Sequence, residues 1–349
     1  MKKLRSEEQI IASWKGDFDK PVVSICCATY NHESYIKKTL ESFLIQETDF
    51  PFEILICDDA STDNNANIIR EYEAKYPILI KPIYQTKNQY SQGVKTNPIF
   101  NFPRANGAYI AMCEGDDYWF NAEKLQVQIE FMKQYSDINL SFHSSYLTDK
   151  NSINKNKLFC NYGDEIKIFS PEEVILGGGE FMPTPSLVIK TKILNSLPEW
   201  FYKDAPVGDV YIQIISSIPN GALYLPKLRS VYRVNVPGSW TSRKNSYRSC
   251  ESINKEAVNR EKCHLALNVS SKEIYKRSFY DAIARDLLSC SFIALKNNCY
   301  KLFKTLINKS SAYKSDLNIT QKIFMLFCNY PKLLKILLKI PLIIKKIIN

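Results

Sequence analysis

Apolar residues in the first 150 positions come in short runs that alternate with amphipathic stretches. Residues 22–29 (VVSICCAT) form a near-continuous apolar run of strand length, and the following ESYIKKTLESFLIQ places Ile36, Leu40, Phe43 and Leu44 on one helical face. A second strand is predicted at residues 52–57 (FEILIC), ending in Asp58-Asp59. The segment STDNNANIIREYEAKY after it opens with residues suited to a helix N-terminus. Residues 78–84 repeat the strand signal, and 108–113 (AYIAMC) give a fourth strand that runs into Glu114-Gly115-Asp116-Asp117 and then a helix, EKLQVQIEFMKQY. Strands and helices that alternate in this way predict a doubly wound α/β fold with a mostly parallel sheet, whose ligands sit at the carboxyl ends of the strands.

Beyond residue 150 the pattern loosens. NSINKNK (151–157) reads as a polar loop and PEEVILGGG (171–179) as a short helix. FMPTPSLVIK (181–190) reads as a strand that its prolines keep out of the regular centre of a sheet. Gly208 and Asp209 open a helical stretch, VYIQIISSI. ALYLP and SVYRVNV predict two more strands, closing with Pro237-Gly238-Ser239-Trp240. From Tyr247 onward the pattern is helical only, and no internal repeat is visible.

With 45% hydrophobic and 12% aromatic residues the chain can bury a large core, as one large domain with an appendage or as two domains. No apolar run approaches the roughly 18 residues of a spanning helix, and the N-terminus carries acids where a signal peptide would be apolar. The ten cysteines form no CxxC pair and read as buried thiols of a reducing compartment. Three scattered histidines, His32, His143 and His264, argue against zinc. The net charge of +10 is unevenly spread. Residues 1–150 hold 16 Lys and Arg against 21 Asp and Glu, residues 151–240 hold 9 against 8, and residues 241–349 hold 21 against 7. Basicity confined to the last third suggests an anionic surface as partner and argues against nucleic acid, which would want basic residues around the functional pocket.

The acidic clusters carry the chemistry. Asp58-Asp59 and Glu114 to Asp117 end two strands, and if those strands are neighbours their carboxylates converge and repel unless a cation lies among them. Hard oxygen donors favour Mg²⁺ or Mn²⁺, ions that keep positions open for phosphate oxygens.

In this order and spacing, ICCATYNHESYIKKTLESFLIQ, FEILICDDASTD and GAYIAMCEGDDYWFNAEKLQVQ resemble the nucleotide-binding half of bacterial family 2 glycosyltransferases. The resemblance is strong over residues 20–135 and continues weakly to about 240 through PTPSLVIK, GDVYIQ and YRVNVPGSW. It implies a GT-A fold over residues 1–240, with a Rossmann-like, mostly parallel sheet flanked by helices, a nucleotide-binding half at about 20–135 and an acceptor half at about 136–240. It also implies transfer of a sugar from a nucleotide diphosphate sugar, a UDP-sugar, with inversion, in cell-surface polysaccharide synthesis. By the same resemblance Thr29 and Asn31 line the nucleotide pocket and Asp59 accepts a hydrogen bond from the base. Glu114, Asp116 and Asp117 bind the donor, with Asp116 and Glu114 holding the metal. Asp209 is the general base, at a helix start that favours its ionised form. Glu114 stands where the family usually has Asp, and Asn235 where relatives commonly have a histidine. Trp119, Asn235 and Trp240 are candidates for donor or acceptor contacts.

Residues 241–349 are expected to form a helical C-terminal extension. Its tail, 322–349, holds six lysines and no acid, and Lys332, Lys335, Lys339 and Lys346 recur on one helical face opposite Leu and Ile. Such a helix suits an anionic membrane surface, with Pro331 at its start and Pro341 as a kink. The expectation is therefore a cytoplasmic enzyme, peripheral on the inner face of the membrane, acting on a saccharide or lipid-linked saccharide. Oligomerisation is left open. Two rivals remain at this point, an inactive membrane-associated sugar-nucleotide binder and a sugar nucleotidyltransferase, although the latter's glycine-rich triphosphate loop is absent.

Overall fold

In the computed structural model, residues 4–17, 19–148, 154–236, 248–314 and 317–338 are described. Those within Met1–Tyr202 and Gly208–Lys244 form one unit, and those within Lys203–Val207 and Asn245–Asn349 a second.

In the first unit β1 (Val23–Thr29), β2 (Phe52–Asp58), β3 (Ile80–Tyr84) and β4 (Tyr109–Met112) pair in parallel in the order β3-β2-β1-β4. Strands covered on both faces need apolar residues at successive positions, which accounts for the continuous runs in β1 and β2. Helix α1 (Glu7–Ile11) precedes them, and α2 (Ile36–Leu44) and α3 (Asn65–Lys75) follow β1 and β2. The predicted stripe of α2, Ile36, Leu40, Phe43 and Leu44, is wholly buried with Ile25, Ile54 and Ile56 of the sheet. Helix α4 (Lys124–Gln134) and the strands β6 (Leu140–Phe142), β9 (Lys167–Phe169), β10 (Val188–Lys190) and β11 (Ala222–Tyr224) extend this sheet to eight strands, in the order β4-β10-β6-β11-β9 beyond β1.

Two expectations about strands need correction. β10 lies in the interior of the sheet, antiparallel to both β4 and β6. The prolines do not interfere because Pro185 is spent in a 3-10 turn at Thr184–Ser186, leaving Val188–Lys190 free to pair. Part of NSINKNK is also strand. β8 (Asn154–Phe159) pairs antiparallel with β7 (Ser145–Thr148) at the edge of a second sheet that also holds β5 (Tyr118–Trp119) and β12 (Ser230–Arg233), in the order β5-β12-β7-β8, where backbone pairing needs no apolar side chain. In that sheet β5 pairs with β12, so Tyr232 and Arg233 continue past Tyr118 toward residues 116–117.

Trp119 is 1% exposed, packs on Phe43 with ring centroids 4.7 Å apart, and donates its indole N–H to the Pro185 carbonyl at 2.8 Å. It belongs to the core, which corrects its candidacy as a sugar contact. Above the same ring, at 4.1 Å, lies the amine of Lys124, fully buried with no hydrogen-bond partner and pushed down to about 7 by burial. In the unfolded chain this amine keeps its proton to a much higher pH, so between about pH 7 and 10 the unfolded state binds the extra proton and stability rises with pH. Lys124→Met should therefore stabilise the protein at pH 7, by about 1–3 kcal/mol, and flatten that rise. Urea unfolding at pH 7 and pH 9.5 checks both effects.

Helices α5 (Pro171–Gly177), α6 (Thr191–Leu194), α7 (Glu199–Lys203) and α8 (Gly208–Ser217) complete the regular elements that lead up to β11. The second unit is built from α9 (Cys250–Ser270), α10 (Lys276–Lys296), α11 (Tyr300–Ala312), α12 (Ile319–Leu326) and α13 (Pro331–Leu337), around Ile253, Leu287, Phe303, Ile307 and Phe324. Burial alone would raise the Asp286 carboxyl, yet His264 Nε2 at 3.1 Å and the guanidinium groups of Arg285 and Arg260 hold it well below the usual carboxylate range.

Cys250 and Cys299 are joined in a disulfide, with Cα atoms 5.6 Å apart. This corrects the reading of all ten cysteines as thiols and removes the cysteine argument for a reducing compartment. Packing of α9 to α11 brings these two positions together across a sequence separation of 49, which no local pattern announces. Six of the remaining eight cysteines are buried as expected. The lysine face of the tail also needs revision. Lys335 donates to the Lys296 carbonyl and to Asn298 Oδ1, both at 2.7 Å, and Leu334 is buried, whereas Leu333 and Ile336 are exposed. Lys339, Pro341 and Lys346 lie outside the described residues.

Candidate active site

The loops after β1 and β2 are laced together. Asn31, at positive φ, accepts the Thr62 N–H on Oδ1 at 2.8 Å, while its own N–H goes to Ser61 Oγ at 2.9 Å. Asp63 accepts the N–H groups of Glu33 and Asn65, and Glu33 accepts that of Asn64. Asp58 accepts the Asn65 side-chain amide at 2.6 Å and the Ser61 N–H at 3.2 Å. Asp59 accepts the N–H groups of Gln89 and Tyr90 on its two oxygens, at 2.8 and 3.0 Å. The acids after β2 are thus compensated by backbone N–H groups, and they need no cation among them.

The turn after β4 is different. Gly115 rests flush against the end of β1, where a Cβ would lie 2.3 Å from Thr29 Oγ1 and 2.9 Å from His32 Nδ1. Gly115→Ala should for this reason cost about 1–3 kcal/mol, read from denaturant unfolding, because neither neighbour is the free end of a long side chain. Thr39 Oγ1 donates to the carbonyls of Gly115 and Asp117 and fixes the turn from below. From β12, the Arg233 N–H donates to Asp117 Oδ1 at 2.7 Å and its guanidinium to the Asp116 carbonyl, with the ring centroids of Tyr35 and Tyr118 at 4.8 and 4.9 Å from that guanidinium.

Four carboxylates converge here. Glu114 is open to solvent though closely surrounded, and its carboxyl is pushed up to about 8 by that surrounding and by Asp116 and Asp209. Since water reaches it, the repulsion from the two neighbouring acids is the firmer cause. Asp117 is buried and raised well above its usual range by burial and then by Asp116. The Tyr232 hydroxyl is raised by burial and by Asp117, Glu114, Asp209 and Asp116 together, which puts all four acids around one phenol. Asp209, in the first turn of α8, accepts the Val210 N–H at 2.9 Å. His32 Nε2 lies 3.9 Å from Asp116 Oδ2, and burial lowers the pKa of its ring.

Among the described residues no group of three or more His, Cys, Asp or Glu is arranged to hold a metal alone. The crowded acids of the turn nevertheless fit a divalent ion that takes one or two protein ligands and fills its shell with phosphate oxygens and water. Of the residues singled out in the sequence, Glu114, Asp116, Asp117 and Asp209 come together, and Thr29 borders them. Asn31 and Asp59 hold the neighbouring loops. Asn235 is exposed at positive φ, and Trp240 lies outside the described residues. The sequence reading missed His32 and Arg233. Only the position of His32 just past the end of a strand could have pointed to it. Arg233 joins the site through the pairing of β12 with β5, which no local pattern shows.

Comparison with known proteins adds a family. Residues 24–192 match the family model described as glycosyl transferase family 2. An uncharacterised protein of Mycobacterium tuberculosis is 31% identical over 225 residues, 63% of this chain and 61% of its own length, so the chain spans less than two thirds of that relative. The Escherichia coli protein WfaP, a UDP-Glc:alpha-D-GlcNAc-diphosphoundecaprenol beta-1,3-glucosyltransferase, is 39% identical over 112 residues, 32% of this chain and 41% of its own. Among solved structures, S. aureus TarS superimposes with a TM-score of 0.61 at 15% identity, over 90% of this chain and 53% of its own. Its 1–349 form in complex with UDP-GlcNAc gives 0.55 at 16%, over 83% and 87%. The mannosyltransferase PcManGT of Pyrobaculum calidifontis, in complex with GDP-Man and Mn²⁺, gives 0.50 at 14%, over 93% and 91%. The fold is that of the GT-A glycosyltransferases.

Proposed function

From the match of residues 24–192 to the glycosyl transferase family 2 model, we propose that the chain moves a sugar, with inversion, from a UDP-sugar to a hydroxyl of a saccharide or lipid-linked saccharide in cell-surface polysaccharide synthesis. The observation that carries this reading is the convergence of Glu114, Asp116, Asp117 and Asp209 around Tyr232. Acids crowded at the carboxyl end of a parallel strand suit a diphosphate only if a cation lies between, so Asp116 and Glu114 would hold Mn²⁺ or Mg²⁺. What the ion supplies when bound is neutralisation of the charge that grows on the departing diphosphate. Residues of about 20–135 form the donor side and those of about 136–240 the acceptor side.

The chain's own residues do the rest. Asp59 holds the segment at Gln89 and Tyr90 as one wall of the nucleotide pocket, with lone pairs left for the base. Asn31 and Thr29 fix the opposite wall. Asp209, across from the turn, accepts the proton of the attacking hydroxyl while its Oδ1 stays on the Val210 N–H. Relatedness to WfaP over a third of the chain supports a lipid-linked acceptor. Calorimetric titration of UDP tests the donor site. Binding should need Mn²⁺ and vanish with chelator, and equal affinity with chelator would refute the role of the acids.

A lipid-linked acceptor calls for a membrane-facing surface, and the second unit offers one. No helix among the described residues is long and apolar enough to cross a membrane. Leu326 on α12, Tyr330 between the helices and Ile336 on α13 are 75%, 66% and 61% exposed, at the start of a tail that holds six lysines and no acid over residues 322–349. This apolar and basic surface would lie on the anionic cytoplasmic leaflet. Since Leu334 is buried, cutting at residue 330 would damage the unit, whereas replacing Leu333 and Ile336 by Glu should spare it. This double change should lower sedimentation with phosphatidylglycerol vesicles several-fold and leave UDP binding unchanged. Unaltered sedimentation would rule this surface out.

A further inference from the structure

His32 is not used by any of the roles above, yet the hydrogen bonds around it hold Nδ1 of its ring as a donor. The argument starts at Asp58, a carboxylate that can only accept from the Asn65 side chain, so the amide nitrogen of Asn65 faces Asp58 and its oxygen faces Thr29. Thr29 has a single hydroxyl proton and donates it to Asn65 Oδ1 at 3.2 Å. Toward His32, Thr29 Oγ1 is then an acceptor, and the 3.3 Å contact with Nδ1 requires the proton to sit on Nδ1. In the neutral ring Nε2 is left with its lone pair. That lone pair and Asp116 Oδ2 lie 3.9 Å apart, too far for a hydrogen bond and with two acceptors facing each other. Gly115 keeps the arrangement tight, since any side chain there would push the turn away from both Thr29 and His32.

Two acceptors that face each other need something positive between them. A relay that fixes the tautomer of a histidine by binding its other nitrogen is how metal-ligating imidazoles are oriented. We propose that His32 Nε2 is a direct ligand of the divalent cation together with Asp116 Oδ2, and that the chain Asp58, Asn65, Thr29 is the second layer that aims it. This rests on the donor-site reading above and adds a protein nitrogen to its metal shell. At adjacent positions with ligand distances of about 2.1 Å the two donor atoms stand about 3.0 Å apart, so the 3.9 Å gap has to close by roughly 1 Å, within reach of side-chain rotation. The remaining positions fall to Glu114, diphosphate oxygens and water. A nitrogen ligand also tilts the site toward Mn²⁺ and away from Mg²⁺, which favours oxygen throughout its shell.

The test uses the full chain loaded with Mn²⁺ and UDP and read by pulsed EPR for coupling between the manganese electrons and a ¹⁴N nucleus. The wild-type complex should show the coupling of a directly bound imidazole. His32→Gln should lose it while still binding Mn²⁺ and UDP through Asp116, and should narrow the preference for Mn²⁺ over Mg²⁺. Thr29→Val keeps the ring but removes the acceptor for Nδ1–H, so the ¹⁴N signal should persist with Mn²⁺ affinity lowered about 10-fold. A wild-type complex that forms without ¹⁴N coupling overturns the assignment of His32 and leaves the donor site standing. Coupling that survives in His32→Gln overturns it as well, by assigning the nitrogen elsewhere. Failure to form any Mn²⁺ and UDP complex overturns both.

Discussion

Asp209→Asn should lower the rate of sugar transfer by about 10² or more, an increase in the barrier of about 2.7 kcal/mol, and leave donor affinity unchanged. Asparagine keeps the oxygen that accepts the Val210 N–H at 2.9 Å, so the start of α8 should be undisturbed. What it loses is the ability to take a proton from the acceptor hydroxyl. The comparison to make is kcat against donor Kd, because a group used only in the chemical step moves the first and not the second. A variant that transfers at close to the wild-type rate would reduce Asp209 to a helix-end residue.

Asp116→Ala is expected to act on binding instead. With no ligand at the centre of the turn, the diphosphate would meet Glu114 and Asp117 without a neutralising ion, two carboxyls already raised by burial and by their acidic neighbours. The Mn²⁺-dependent part of UDP affinity should fall by about 10², or about 2.7 kcal/mol, while the unfolding transition stays near wild type. The fold should tolerate the change because Arg233 holds the Asp116 carbonyl and the Asp117 side chain, neither of which the substitution removes. Unchanged, metal-dependent affinity would move the metal site elsewhere.

The parallel half of the sheet was legible because β1, β2 and β4 are buried on both faces, a condition that writes itself into unbroken apolar runs. The acids were legible as positions but not as roles. Asp58, Asp59 and Glu114 are alike in the sequence, and what separates them is whether a backbone N–H from a distant loop arrives, as those of Gln89 and Tyr90 do at Asp59. Other features depend on partners far along the chain. The antiparallel insertion of β10 is one, the disulfide between Cys250 and Cys299 another, and the burial of Trp119 under Lys124 a third. The C-terminal helix shows the same limit at short range. Periodicity put Lys335 on a lysine face suited to an anionic membrane surface, but its amine finds the carbonyl end of α10, and the burial of Leu334 turns Leu333 and Ile336 outward.

The central claim is that the crowded acids at the end of β4 and Asp209 across from them transfer a sugar. It is tested most directly by incubating the purified full chain with a panel of nucleotide sugars, Mn²⁺ and a membrane-lipid extract, and following release of nucleoside diphosphate together with glycosylated product. The account predicts release from a UDP-sugar that requires the metal, is stopped by chelator, and yields product of inverted anomeric configuration. Folded protein that binds Mn²⁺ and UDP yet transfers no sugar from any donor, or product with the donor's configuration retained, would contradict it.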